Sequence, residues 1–159
     1  WAFYAKGGEY RKWYGNLELL VKCDLPALHF YKTNPTSNCL AEKYWFTDGI
    51  TYSAVTSKGT GFRYFPAVGA FDKGGATICY VQHLAYILGL LNSNVAKRVF
   101  SFLNPTINLQ VKDVKAFPIM LSNCYNEKVT ALSHNSVRLS NNDWNSYETS
   151  WEFKKHPLV

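Results

Sequence analysis

Apolar and polar positions change rhythm once along the chain, at Gln82. Before it, short runs of aromatic and β-branched residues alternate with turn residues, which predicts strands. The strand candidates are residues 1–5, 17–23, 44–46, 50–55, 62–65 and 76–81. Between them lie the turn signals Gly7-Gly8, Gly15-Asn16, Asp48-Gly49, Lys58-Gly59-Thr60-Gly61 and Lys73-Gly74-Gly75. Pro26 to Lys32 predicts a short helix with Pro in its first turn. After Gln82, Leu84, Ile87, Leu88 and Leu91 recur at helical spacing, and Asn92-Ser93 offers an N-cap for a second helix carrying Val95, Val99, Phe102 and Leu103. Asn104-Pro105 stops that helix, because the residue before Pro avoids helical dihedrals. Ile107 to Val111 alternates like a strand, and Val114 to Met120 is apolar with a Pro stop. From Ser122 the tail is polar, with a weak helix over Asn126 to Leu139. Aromatics from Trp144 to Phe153 are expected to dock on a neighbouring part of a parent protein.

These elements predict an α+β fold in one domain over residues 1–159. Residues 1–81 form its β-rich part of short twisted strands, 82–103 a helical pair packed on it, and 104–159 a strand, a weak helix and a C-terminal extension. A hydrophobic fraction of 47% excludes a disordered chain, and 159 residues suffice for one core. The longest run of apolar residues and Gly, Leu84 to Leu91, is too short to span a bilayer, so no membrane partner and a cytoplasmic location are expected. Cys23, Cys39, Cys79 and Cys124 are far apart without a C-x-x-C pair, which points to buried free thiols in a reducing cytosol rather than zinc or a disulfide framework. Trp1 at the start and Val159 at the end look like cut ends of a longer polypeptide.

A net charge of +6 suits a polyanionic partner, because cations that neutralise phosphates release counterions. Catalytic constellations are missing. Gly59 and Gly61 lack the third Gly of a dinucleotide loop, and the Gly69 to Gly75 stretch lacks the Lys-Ser/Thr of a phosphate-binding loop. His29, His83, His134 and His156 are scattered, and the isolated Glu9, Asp48, Asp72 and Asp113 form no acid/base pair. Asn34-Pro35-Thr36 and Asn104-Pro105-Thr106 lack the second Pro and the aromatic of the tetrapeptide with which amino-methyltransferases hold a target amine. What remains is basic and aromatic. Residues 6–14 combine Lys6, Arg11 and Lys12 with two glycines and three aromatics; Thr51, Ser53, Thr56, Ser57, Lys58 and Arg63 surround a Gly-rich turn; Lys73 precedes a Gly pair. Hydroxyls and cations beside glycines are the chemistry that meets phosphates and base edges. Lys97-Arg98 reads as the exposed face of a scaffold helix.

Lys6-Gly-Gly-Glu-Tyr-Arg-Lys-Trp-Tyr-Gly-Asn16 resembles a run that follows the catalytic domain in PglX-type BREX methyltransferases, and related runs occur in type II restriction-modification methyltransferases. Asp48-Gly-Ile-Thr-Tyr-Ser53, with Tyr52 where that family often has Trp, Arg63-Tyr-Phe-Pro66, Leu88-Gly-Leu-Leu-Asn-Ser93, Leu103-Asn-Pro-Thr-Ile-Asn-Leu-Gln-Val111 and the 143–158 stretch are similar to it in the same order. The resemblance implies a TaqI-like DNA target-recognition domain, itself non-catalytic, of an adenine-specific DNA methyltransferase of a phage-defence system. It implies double-stranded DNA as partner, an upstream methyltransferase domain that alone binds S-adenosylmethionine, no cofactor or metal in this part, and contacts to other defence-system subunits. Phosphate contacts are expected from Lys6, Arg11, Lys12, Lys58 and Lys73, and base reading from Thr51, Ser53 and Arg63. Two other classes stay open: a protein-interaction module docking defence subunits or a phage inhibitor, and an enzyme in its own right using S-adenosylmethionine or a metal.

Overall fold

Two three-stranded sheets carry the β-rich part, and in each a central strand pairs with the next strand of the chain and with one farther along. In the first, β1 (Ala2–Ala5) pairs antiparallel with β2 (Leu20–Val21) and parallel with β5 (Gly69–Phe71), Ala5 lying opposite Phe71. In the second, β3 (Gly49–Tyr52) lies between β4 (Phe62–Phe65) and β6 (Thr77–Cys79), antiparallel to both. This computed structural model describes residues 1–37, 41–121 and 124–159. Cys39 and the Ser122 start of the polar tail lie outside the described residues.

Every residue of β3 is buried, because both faces of the second sheet are covered. Ile50, Tyr52 and Phe62 face the helices, while Phe65 faces the first sheet with Ala5, Tyr14, Leu17, Phe71 and Trp144. A strand alternates its side chains, so Arg63, between Phe62 and Tyr64, is turned to the inner side with Thr51 opposite it. On the helix side, aromatic rings run in file from Tyr52 through Phe62 and Phe100 to Phe117, with centroids 5.5, 5.6 and 4.9 Å apart.

The helical pair is α2 (Leu84–Leu91) and α3 (Asn94–Leu103), preceded by α1 (Leu25–Thr33). Asp24 Oδ1 accepts from Ala27 N at 3.0 Å at the start of α1, and Ser93 Oγ accepts from Ala96 N at 3.1 Å at the start of α3. Helix α2 is apolar on nearly all sides because it lies between the second sheet and the long α5 (Asn126–Trp144). Where α2 crosses α5, a Cβ on Gly89 would stand 2.4 Å from Ser133 Oγ; Gly there lets the two helices touch.

The α+β class is as expected, and β4 falls where its apolar run predicts. Several elements differ. The 17–23 strand shrinks to Leu20–Val21, and Glu42–Tyr44 forms a 3-10 turn in place of a strand at 44–46. Beyond Asn104, among the described residues, there is one isolated bridge, Val55 to Asn108, then the short helix α4 (Val111–Lys115) instead of a strand. Asp113 makes that helix: its Oδ2 accepts from Gln110 N at 2.9 Å, capping the first turn. The weak helix at 126–139 extends to Trp144, which is buried within this chain rather than left for a neighbour. Cys23 and Cys79 are half-buried and Cys124 is exposed, unlike the buried thiols expected. Among the described residues no helix is long and apolar enough to cross a membrane.

Candidate nucleic-acid interface

Because β1 and β5 are parallel, the loops leaving their C-terminal ends lie side by side. Gly7 has φ +91°, and a Cβ on it would come within 2.8 Å of Gly74 O, so the two loops cross with backbone against backbone. Asp72 Oδ1 accepts from Gly74 N at 2.7 Å and Gly75 N at 3.0 Å, which folds the second loop and points Lys73 outward as an exposed residue. The segment after β3 joins them: Ala54 N donates to Gly74 O at 3.1 Å, and Ser53 Oγ donates to Gly8 O at 3.0 Å. A shallow groove then connects Gly8, Glu9 and Tyr10 to Thr56 and Lys58. Lys6, Lys58 and Lys73 are thereby presented on one rim, all exposed.

The three residues expected to read bases stand beneath that rim. Arg63 is 1% exposed, Thr51 2% and Ser53 4%. Thr51 Oγ1 donates to Gly75 O at 3.1 Å. Arg63 Nη2 donates to Ser53 Oγ at 3.3 Å and Nη1 to Arg11 O at 3.5 Å, while Nε is buried without a partner among the described residues. Burial alone lowers the Arg63 pKa to about 10, so the guanidinium keeps its charge near neutrality. These side chains tie β3, β4 and the loops together from inside. All three side chains, expected to read bases, are buried in this conformation.

Arg11 is also committed. Its Nη1 lies 3.0 Å from Asp143 Oδ2, and its guanidinium carbon stands 5.0 Å from the Trp144 ring centroid and 6.0 Å from that of Tyr147. The side chain holds the end of α5 against the N-terminal segment, and Trp151 Nε1 donates to Glu18 O at 3.0 Å beside it. Arg11, expected to contact phosphate, thus also acts as a clamp within the chain.

Lys12 is bound on one side only. Its Nζ donates to Asn92 O at 2.8 Å, and burial followed by the nearby charge of Lys97 holds its pKa below the usual lysine value. Asn92 is itself fixed, its Oδ1 accepting from Phe62 N at 3.1 Å and its Nδ2 donating to Phe62 O at 2.9 Å. That pair of bonds pins the α2–α3 junction to β4 and brings Lys97 of α3 near Lys12. Sequence reasoning left Lys97 on a scaffold helix, since nothing local links positions 12 and 97.

Among the described residues, none of Lys6, Lys12, Lys58, Lys73 and Lys97 has a carboxylate within 4.0 Å. Both Asn-Pro-Thr runs are closed turns. Asn34 Oδ1 accepts from Thr36 N and Oγ1 at 2.9 and 2.7 Å, and Asn104 Oδ1 accepts from Thr106 N and Oγ1 at 2.9 and 2.6 Å. Those oxygens already have two donors each, leaving little capacity for a substrate amine.

No family model matches the chain. It is 32% identical over 163 residues to Adenine-specific methyltransferase BrxX of Escherichia coli O9:H4 (strain HS), an alignment covering the whole chain and 13% of that protein. It is 31% identical over 167 residues to Adenine-specific methyltransferase PglX of Lacticaseibacillus casei (strain Zhang), covering the whole chain and 14% of that protein. The chain is thus homologous to one segment of these methyltransferases and spans 13–14% of their length.

Proposed function

We propose that the chain is the DNA target-recognition domain of an adenine-specific methyltransferase in a phage-defence system, with methyl transfer and S-adenosylmethionine binding carried by another part of the polypeptide. The observation that carries this reading is the rim where three loops, stitched to one another by backbone contacts, present Lys6, Lys58 and Lys73 without a carboxylate partner among the described residues. Ammonium groups presented on one edge and left unneutralised favour a row of phosphates. The relatives are named adenine-specific methyltransferases, which supplies the reaction that such a domain would aim. A duplex seated on this rim meets Glu9, Tyr10 and Ser57, all exposed, and these side chains take the base-reading role in place of Thr51, Ser53 and Arg63. The aligned duplex then fixes which adenine the transferase part flips out.

The test is the salt dependence of binding to a duplex in the full-length protein. Replacing Lys6, Lys58 and Lys73 together by Ala lowers affinity at low salt and reduces the slope of log affinity against log salt by about three, one per lost phosphate contact. An unchanged slope removes these lysines from the interface.

A second reading has its own observation: α1 buries none of its residues, and Leu25 and Phe30 on it are 83% and 55% exposed. As a protein-interaction module the chain would use this helix to dock the upstream domain or another defence subunit. Association that survives high salt and is lost in Leu25→Ser plus Phe30→Ser would favour that role.

A further inference from the structure

We infer that the cleft walled by Lys12, Lys58 and Lys97 seats a backbone phosphate of duplex DNA, so that helix α3 belongs to the binding surface. The inference rests on the DNA-recognition reading and adds a site to it. The cleft holds about 210 Å³ between the 56–60 turn, the α2–α3 junction and the 104–107 turn. Its lining brings together the three lysines with Tyr10, Thr56 and Ser93, and includes no acidic residue.

Three ammonium groups around one small cleft repel each other unless an anion lies between them. The depressed proton affinity of Lys12 registers that repulsion from Lys97 on top of burial. Yet the fold holds the cations in place. Lys12 is tethered through one donor to Asn92 O and keeps two more to offer. Lys97 is carried into position by α3, whose start is pinned by the Asn92 to Phe62 bonds and capped by Ser93. The N-terminus of α3 adds its positive dipole end to the same wall.

The cleft opens beside the exposed groove of Gly8, Glu9, Tyr10, Thr56 and Lys58, sharing Tyr10, Thr56 and Lys58 with it. Lys6 and Lys73 belong to the two loops that meet at Gly7 and Gly74, next to Gly8 of that groove. The cleft and the groove are thus adjoining parts of one surface that Lys58 shares, which suits a strand of successive phosphates better than a free phosphate compound.

The experiment measures fluorescence anisotropy of a labelled duplex with the full-length protein across a salt series, for wild type, Lys97→Ala, Lys97→Arg and the distant Lys128→Ala. Lys97→Ala should weaken binding roughly threefold to tenfold at low salt and cut the log–log slope by about one, Lys97→Arg should restore both, and Lys128→Ala should change neither. A wild type that binds DNA with a salt slope that Lys97→Ala leaves intact overturns the cleft assignment alone. A wild type that shows no salt-dependent binding overturns the DNA reading and the cleft's duplex ligand with it. Pyrophosphate serves as a second probe, followed by its shifts on the Lys97 signals: competition with duplex supports the seat, whereas saturation without competition assigns the cleft to a free phosphate compound and removes the duplex.

Discussion

Arg11 and Asp143 meet at 3.0 Å across 132 positions of sequence, and the same guanidinium covers the face of Trp144. The contact joins the loop leaving β1 to the far end of α5. It shows how the basic N-terminal run serves two purposes: Arg11 holds the chain together, while Lys6 stays exposed.

Removing this clamp should cost stability rather than DNA affinity. The ion pair is partly solvated, with side-chain exposures of 31% and 57%, so it contributes little; most of the effect comes from the stacked Trp144. Arg11→Ala is expected to lower unfolding free energy by about 1 kcal/mol in urea titration, and Arg11→Lys to recover only part of that, since Lys lacks the planar group. Its salt slope for DNA should match wild type.

Arg63 gives a sharper contrast. Arg63→Ala leaves a void and removes the bonds to Ser53 Oγ and Arg11 O, which should cost about 3 kcal/mol or more by chemical denaturation. Arg63→Met fills the space without a buried charge and should stay within about 1–2 kcal/mol of wild type. A folded Arg63→Met protein that keeps its DNA affinity confirms the interior role; one that is stable yet loses sequence preference returns Arg63 to base reading.

Acid sensitivity should centre on Asp113. The Asn104 side chain, then the Gln110 backbone N–H, hold its carboxyl below the usual aspartate value. A carboxylate with a depressed folded pKa adds stability that is present above its unfolded value, near 3.8, and lost as pH falls through the folded one. Asn104→Ala should shift the acid unfolding midpoint to higher pH, and Asp113→Asn should flatten the pH dependence below about pH 4. Urea midpoints between pH 2.5 and 5 would read this, and parallel curves for Asn104→Ala and wild type would argue against the link.

Helices α2 and α3 were legible because their apolar spacing and the Asn92-Ser93 break are local signals. Strand β5 was not, since Gly69-Ala70-Phe71 beside Lys73-Gly74-Gly75 looks like a turn until β1 pairs with it. Helix α5 appeared weak because its buried positions are Ser133 and Trp144, not a Leu stripe. At the candidate site the exposed Lys6, Lys58 and Lys73 could be picked from glycine-flanked cations. Arg63 carries the same charge but sits between Phe62 and Tyr64, where strand alternation between two covered faces turns it inward. The meeting of Lys12 with Lys97 depends on the Asn92 to Phe62 bonds, a tertiary fact without a trace in either segment.

The central claim is that the rim directs where DNA is methylated. Its most direct test replaces the exposed rim residues Glu9, Tyr10 and Ser57 by those of a relative with a different target, in the full-length protein, and maps methylated adenines across the genome of cells carrying it. The account predicts that methylation persists and moves to a different sequence motif. Methylation that continues at the original motif, at the original level, would contradict it.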